Sequence, residues 1–144
     1  MYEIYFYRDK NGNEPVLEYI RKLSQQKSKD SRIKLNKIND YIQILSKYGI
    51  QVGEPYIKHL DADIWELRPL RDRIFFASYF NQEAPSIEPD TTEIQTTSLK
   101  QQLNIVKRGY ILLHYYTKKT QKTPKKEIEQ AKREFNNLME ESDL

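Results

Sequence analysis

The sequence predicts an α+β domain, because strand-like and helix-like hydrophobic patterns follow one another along its 144 residues. The first eight residues are mostly aromatic or β-branched, which is typical of a strand. Two segments with apolar residues at helical spacing come next, and strand-like runs return at position 64. The predicted order is an N-terminal strand, a two-helix hairpin, a small antiparallel sheet and a C-terminal helix. A chain of this length fits a single domain over residues 1–144.

Two helices are predicted before position 50. Pro15 suits a first helical position, and a short helix follows from Val16 to about Leu23. The polar stretch SQQKSKDS is expected to form a loop. The second helix should end at Gly49, and its predicted apolar face consists of Ile33, Ile38, Ile42 and Leu45.

The runs IWELR and RIFFASYF predict a β-hairpin, with the four residues PLRD as its loop. If Arg68 faces Arg73, alternation divides the hairpin into two faces. Trp65, Leu67, Ile74 and Phe76 form the face assigned to the core, while Glu66, Arg68, Arg73 and Phe75 form the other. Two adjacent guanidinium groups repel each other unless an anion or Glu66 offsets their charge.

The last third of the chain predicts one further strand and one helix. Residues 81–107 contain two prolines and a TTEIQTTS run, and we expect them to form an inserted loop. Gly109–Tyr116 is strand-like. Thr123 is suited to an N-cap and Pro124 to the first helical position. Ile128, Ala131, Phe135 and Leu138 then form an apolar stripe at helical spacing.

Composition excludes several function classes. The chain has no cysteine, so it has neither disulfides nor thiolate metal sites, and its two histidines lack the H-x3-5-H spacing of a zinc site. We therefore expect no metal and no cofactor. No apolar run approaches the roughly 20 residues that span a bilayer. These features predict a cytoplasmic protein without membrane association.

Charge is distributed unevenly along the chain, which points to a localised site for a polyanion. Residues 107–133 contain nine Lys or Arg and two Glu, whereas residues 134–144 contain four acids and no base. Arg68 and Arg73 on the hairpin and Lys118, Lys119 and Lys122 beyond the last strand are expected to converge. Such cations can clamp a phosphodiester and stabilise the charge that develops when it is cleaved.

Two histidines and two tyrosines are the other side chains that could act on RNA. His114, in an apolar strand, is a candidate acid or base, although a lone histidine in a strand is more often structural than catalytic. His59 is interpreted as a surface or loop residue. Tyr115 and Tyr116 could stack on exposed RNA bases or could belong to the core.

Three blocks of the sequence resemble one known family. They are YFYRDKNGNEPVLEYI, IWELRPLRDRIFFASYF and ILLHYYTKKTQKTPKKEIEQA. In combination they resemble the phage-derived HigB-type branch of the RelE/ParE toxin superfamily. The resemblance implies a RelE-like fold over about 1–80 and 109–138. Relatives join the third and fourth strands by a short turn, whereas residues 81–107 intervene here.

The resemblance implies a toxin of a type II toxin–antitoxin system. Such a protein is a metal-independent endoribonuclease, an mRNA interferase that enters the ribosomal A site, cleaves mRNA and arrests growth. The implied partners are the ribosome, mRNA and a HigA-like helix-turn-helix antitoxin whose complex with the toxin binds operator DNA. The positions carried over are Arg68, Arg73, His114, Lys118 and Lys119, with Lys122.

Two other function classes stay open at this stage. The ParE branch shares the fold and inhibits DNA gyrase by binding, without cleaving RNA. A cationic RNA-binding module without turnover is the third class. The KKTQKTP block favours the HigB branch, because its cations are those that an RNA-cleaving site would use.

Overall fold

The computed structural model describes residues 1–81 and 107–142. The elements in chain order are β1 (Glu3–Phe6), α1 (Pro15–Gln25), α2 (Lys29–Tyr48), a 3-10 helix (Gly49–Val52), β2 (Ile57–Asp61), β3 (Ile64–Leu67), β4 (Asp72–Asn81), β5 (Lys107–Thr117) and α3 (Lys125–Ser142). The predicted α+β class is confirmed, and the arrangement is consistent with a RelE-like fold. No helix in this part of the chain combines the length and apolarity that crossing a bilayer requires.

The five strands form one sheet in the order β1-β5-β4-β3-β2. The predicted antiparallel sheet is confirmed for β2, β3, β4 and β5, and the N-terminal strand β1 joins it by pairing with β5 in parallel. The edge strand β2 was missed. Only Ile57 is buried in it, and a short edge strand with one buried residue gives little periodic signal. His59 lies in this strand rather than in a loop, and it is exposed, as predicted for a surface residue.

Both faces of the sheet are buried, which corrects the prediction of a single core face. α1 and α2 cover one face and α3 covers the other. The buried core on the first face comprises Val16, Leu23, Ile38, Leu45, Ile57, Leu67, Ile74, Phe76, Tyr110 and Leu112. The core under α3 comprises Tyr7, Ile64, Phe75, Ala77, Ile111, Leu113, Ala131 and Phe135. Glu66, on the α3 side, is consequently 2% exposed.

The hairpin register predicted from Arg68 and Arg73 is confirmed, since Glu66 pairs with Phe75. Between β4 and β5 the pairing shifts by one residue after Ile74. Two β5 residues, Leu113 and His114, therefore face Phe75. A bulge of this kind turns consecutive side chains to the same face of the sheet, and both residues contact the α3 side.

The helix hairpin is tighter than predicted. Only residues 26–28 separate α1 from α2. Ser28 caps α2 by accepting a hydrogen bond from the Ser31 amide at 3.1 Å. Gly49 ends α2 with φ of 70°, a conformation that a side chain strains. Ile33 was predicted in the core, but it is 43% exposed, because it lies off the face that carries Ile38.

The predicted inserted loop, 81–107, lies mostly outside the described residues, since 82–106 are not among them. Its two end residues belong to strands. Asn81 ends β4 and Lys107 begins β5, and the two are paired directly. The chain therefore leaves and re-enters the sheet at adjacent positions of one antiparallel ladder.

Candidate functional site

The two predicted arginines converge on the buried carboxylate of Glu66. Glu66 Oε2 lies 3.4 Å from Arg68 Nε and 3.8 Å from Arg73 Nε. Alternation places the three side chains on one face of the hairpin, at the end next to the PLRD turn. Glu66 therefore offsets the repulsion between the guanidinium groups, as the sequence predicted it could.

Arg73 is held in place by the turn that precedes it. Its Nη1 donates hydrogen bonds to the carbonyl oxygens of Leu70 at 2.9 Å and Asp72 at 2.8 Å. Burial lowers the pKa of the Arg73 guanidinium, and the Glu66 carboxylate opposes that shift. An arginine stays protonated even so, because its ordinary pKa lies far above neutrality.

Thr123 also contacts the Glu66 carboxylate, in addition to Arg68 and Arg73. Its hydroxyl donates a 2.7 Å hydrogen bond to Glu66 Oε1. This corrects the prediction that Thr123 is an N-cap with Pro124 at the first helical position. The carbonyl of Pro124 accepts the first hydrogen bonds, from the Glu127 and Ile128 amides, so Pro124 occupies the cap position.

Of the three predicted lysines, Lys118 is the one that the structure couples to the arginines. Its backbone amide donates a 2.7 Å hydrogen bond to the Arg71 carbonyl. Partial burial and then the positive charges of Arg73 and Arg68 lower the pKa of the Lys118 ammonium. Lys119 and Lys122 follow in the turn before α3 and are exposed.

We call Glu66, Arg68, Arg73, Tyr116 and Lys118 the arginine cluster. Three of its buried atoms, Arg68 Nε, Arg73 Nε and the Tyr116 hydroxyl, have no hydrogen-bond partner among the described residues. The two guanidinium nitrogens keep their ion pairs with Glu66, whereas leaving the Tyr116 hydroxyl unpaired costs about 1–3 kcal/mol. Glu66 is the one buried carboxylate beside the three cations, since the Glu54 carboxylate that lies 3.9 Å from Arg68 is mostly exposed. The arrangement is suited to bind an anion that accepts several hydrogen bonds, such as a phosphodiester.

The two tyrosines are packed against other rings of the protein. The Tyr115 ring is stacked on Tyr19, with centroids 3.9 Å apart, and the Tyr116 ring is stacked on Phe75 at 6.0 Å. One face of each ring is thereby occupied by the protein itself. Tyr116 contributes its hydroxyl to the arginine cluster, a role that the base-stacking hypothesis did not include.

His114 belongs to a different group of side chains. Its Nδ1 lies 2.6 Å from Glu134 Oε1 and its Nε2 lies 3.0 Å from Glu127 Oε2, and both glutamates are on α3. The ring is 4.7 Å from Phe75 and only 5% of the residue is exposed. With both ring nitrogens occupied by carboxylates, this arrangement favours the packing role that the sequence left open.

The sequence analysis missed Asp72 as a contributor to the site region. Asp72 is 2% exposed and accepts hydrogen bonds from Tyr19 and Thr117, at 2.8 and 2.7 Å. These contacts hold the end of the hairpin turn against α1 and β5. The partners are 53 and 45 residues away in sequence, so no local pattern could show them.

Comparison with protein families supports the toxin-like part of the resemblance. Residues 105–136 match the family described as Phage derived protein Gp49-like (DUF891). The match supports a phage-derived toxin-like protein. It spans less than a quarter of the chain and includes β5, Lys118 and Thr123. A toxin-like protein of the RelE type implies an antitoxin partner in general terms. A comparison with curated proteins gives no match.

Proposed function

We propose that this protein is a HigB-type toxin of a type II toxin–antitoxin pair that cleaves ribosome-bound mRNA without a metal. The observation that supports the proposal is the arginine cluster, where Arg68 and Arg73 contact a buried carboxylate and their positive charges lower the pKa of Lys118. Preorganised cations of this kind stabilise the charge on a phosphate undergoing substitution.

The proposed reaction is attack of a ribose 2′-oxygen on the adjacent phosphorus. The new P–O2′ bond forms as the P–O5′ bond breaks, and the 2′-hydroxyl proton passes to solvent water, which gives a 2′,3′-cyclic phosphate and a 5′-hydroxyl. Arg68 and Arg73 stabilise the phosphorane, and Lys118 neutralises the phosphate and donates a proton to the leaving 5′-oxygen. Orientation of the mRNA by the ribosome supplies a large part of the rate.

The proposal includes the cellular setting that the sequence implied. The toxin acts in the cytoplasm on mRNA in the ribosomal A site, and a HigA-like antitoxin neutralises it. The complex of the two proteins binds operator DNA. Lys119 and Lys122 are exposed beside the cluster and contact the RNA backbone.

The decisive experiment is primer extension on ribosome-bound mRNA after induction of the protein. We expect cuts linked to codon position with the wild type and with Arg133→Ala, a control at an exposed position on α3. Arg73→Ala should reduce cleavage by about 100-fold or more and abolish growth arrest. Arg73→Lys, which keeps a cation, serves as a second variant should Arg73→Ala fold poorly.

Each other outcome contradicts the proposal in a recognisable way. Intact mRNA with stalled DNA gyrase would identify a ParE-like gyrase inhibitor. Bound but uncut RNA would identify an RNA-binding module. Growth arrest that survives in folded Arg73→Ala would show that the arginine cluster is not the active site.

A further inference from the structure

A cavity of about 390 Å³ lies between the first turns of α2 and the turn that joins β3 to β4. Thr117, at the end of β5, contributes to its wall, and the Thr117 hydroxyl contacts Asp72 on the α1–α2 side of the sheet. We call this cavity the turn groove, and its lining residues are Asp30, Ile33, Lys34, Leu70, Arg71 and Thr117. It is distinct from the arginine cluster, which contacts Thr123 on the α3 side.

Two aliphatic side chains of the turn groove are unusually exposed. Ile33 is 43% exposed and Leu70 is 47% exposed. Leu70 also has φ of 58°, in the left-handed region that favours glycine. A non-glycine residue in this conformation is unfavourable, and such positions cluster at functional sites. The exposed leucine at the tip of a strained turn therefore points to a ligand.

The charges beside these apolar groups are mainly positive. Lys34 and Arg71 flank the groove, and Asp30 is the one acid in its lining. The first turn of α2 also includes Lys29 and Arg32. The groove is thus complementary to a segment that combines aliphatic and acidic side chains. RNA fits less well, because its bases stack on aromatic rings or guanidinium planes rather than on isoleucine and leucine.

The residues that line the groove also hold the arginine cluster through their backbone. The Leu70 carbonyl accepts the 2.9 Å hydrogen bond from Arg73 Nη1. The Arg71 carbonyl accepts the 2.7 Å hydrogen bond from the Lys118 amide. A ligand that contacts the side chains of Leu70 and Arg71 therefore acts on the same turn that positions two cations of the cluster.

We propose that the turn groove is the docking site of the antitoxin, and that the docking element is an acidic amphipathic helix. An aliphatic residue of the helix inserts between Ile33 and Leu70, and flanking glutamates pair with Lys34 and Arg71. The bound helix contacts the turn whose Leu70 and Arg71 carbonyl groups accept hydrogen bonds from Arg73 and the Lys118 amide. The inference rests on the proposed toxin function for the identity of the partner, but the groove and its chemistry stand independently.

The first test uses a fluorescently labelled helical peptide of about 15 residues, with leucine along one stripe and glutamate beside it. We expect saturable binding to the wild type, measured by anisotropy. Ile33→Glu and Lys34→Glu should weaken binding by about tenfold or more. Lys37→Glu is the matched control, because it makes the same charge reversal at an exposed α2 position outside the groove. It should bind like the wild type.

Several results would overturn the proposal. One is equal binding by all three variants, and another is binding of a peptide in which lysine replaces every glutamate. Displacement of the acidic peptide from the groove by a short single-stranded RNA would assign the groove to RNA instead. Circular dichroism confirms that each variant is folded.

Growth assays separate the groove from the toxin function. Ile33→Glu and Lys34→Glu should still arrest growth, because neither residue belongs to the arginine cluster. Peptide binding without any growth arrest by the wild type would contradict the toxin function and leave the groove intact. Growth arrest by a wild type that binds no peptide would contradict the docking proposal and leave the toxin function intact.

Discussion

Glu66 organises the site at the scale of single residues. Its carboxylate is almost fully buried and contacts two guanidinium groups and the Thr123 hydroxyl. A buried carboxylate between two cations is stable only while its partners remain, because each ion has lost its hydration. The same residue therefore contributes to stability and positions the cations proposed for RNA cleavage.

Glu66→Gln should lower the free energy of unfolding by about 3–5 kcal/mol, because it leaves two guanidinium groups without a buried counter-charge. Urea denaturation measures this change. Glu54→Gln is the matched control. The Glu54 carboxylate lies 3.9 Å from Arg68 Nη1, but the Glu54 side chain is 68% exposed. This substitution should change stability by no more than about 0.5 kcal/mol. Equal effects of the two variants would show that Glu66 is not the anchor.

Lys118 should control the alkaline side of the pH–rate profile. Its ammonium has a lowered pKa, so it loses its proton at a lower pH than an ordinary lysine does. If the protonated form assists cleavage, the single-turnover rate falls as the pH rises through that lowered pKa. Lys118→Arg, which keeps its charge, should move this fall to higher pH, and Lys118→Ala should reduce the rate about 100-fold. If the single-turnover rates of the wild type and Lys118→Arg fall over the same alkaline pH range, Lys118 takes no part in proton transfer.

At the scale of elements, the bulge in β5 and helix α3 depend on each other. The bulge turns His114 towards α3, where Glu127 and Glu134 contact its ring nitrogens. The apolar stripe predicted on this helix is confirmed at Ala131 and Phe135, which pack on the same side of the sheet. His114 therefore attaches the helix that covers this half of the core.

His114→Phe should destabilise the protein by about 1–3 kcal/mol, because both glutamates lose their buried partner. Thermal denaturation measures the loss, with exposed His59→Phe as the control, expected within about 0.5 kcal/mol of wild type. Cleavage measured well below the melting temperature should stay within about a factor of two of wild type. A folded His114→Phe protein without cleavage would instead identify His114 as catalytic.

At the scale of the whole molecule, we propose that residues 1–144 form one domain with an insertion between β4 and β5. The supporting observation is the direct pairing of Asn81 with Lys107, which a two-residue turn can close. The described strands before and after the insertion share one sheet and two continuous core clusters.

Replacing residues 82–106 with Asn-Gly should leave the fold intact. Shortening a loop lowers the entropy cost of closing it, so stability should rise by about 1–2 kcal/mol. A Gly-Ser linker of native length is the control and should not produce this gain. Denaturant unfolding distinguishes the two. Loss of cooperative unfolding on deletion would show that the segment is part of the domain core.

Local patterns predicted much of this molecule. The Trp65 to Phe76 alternation predicted the hairpin register, and the offset of two arginine charges by Glu66 followed from that register. Helical spacing and the stop at Gly49 predicted the α2 region. Each of these features depends on neighbours in sequence, where side-chain period and turn chemistry act directly.

Features that depend on distant contacts could not be read in this way. Strand β2 has one buried residue, and Ile33 is 43% exposed although its helical spacing predicted a core position. Whether His114 faces α1 and α2 or faces α3 depends on a one-residue shift against β4. Such a shift moves side chains to the opposite face of the sheet, and the residues of β5 alone do not reveal it.

The sequence by itself determined the α+β class, the hairpin and the set of cations, because hydrophobic periodicity and charge can be recognised from neighbouring residues. Only the tertiary structure decided which cations lie near one another. It joined Lys118 to Arg68 and Arg73, directed His114 to two glutamates of α3, and left Ile33 and Leu70 exposed in one groove. The physical reason is that burial and long-range pairing, rather than residue type, set the partners of each polar group.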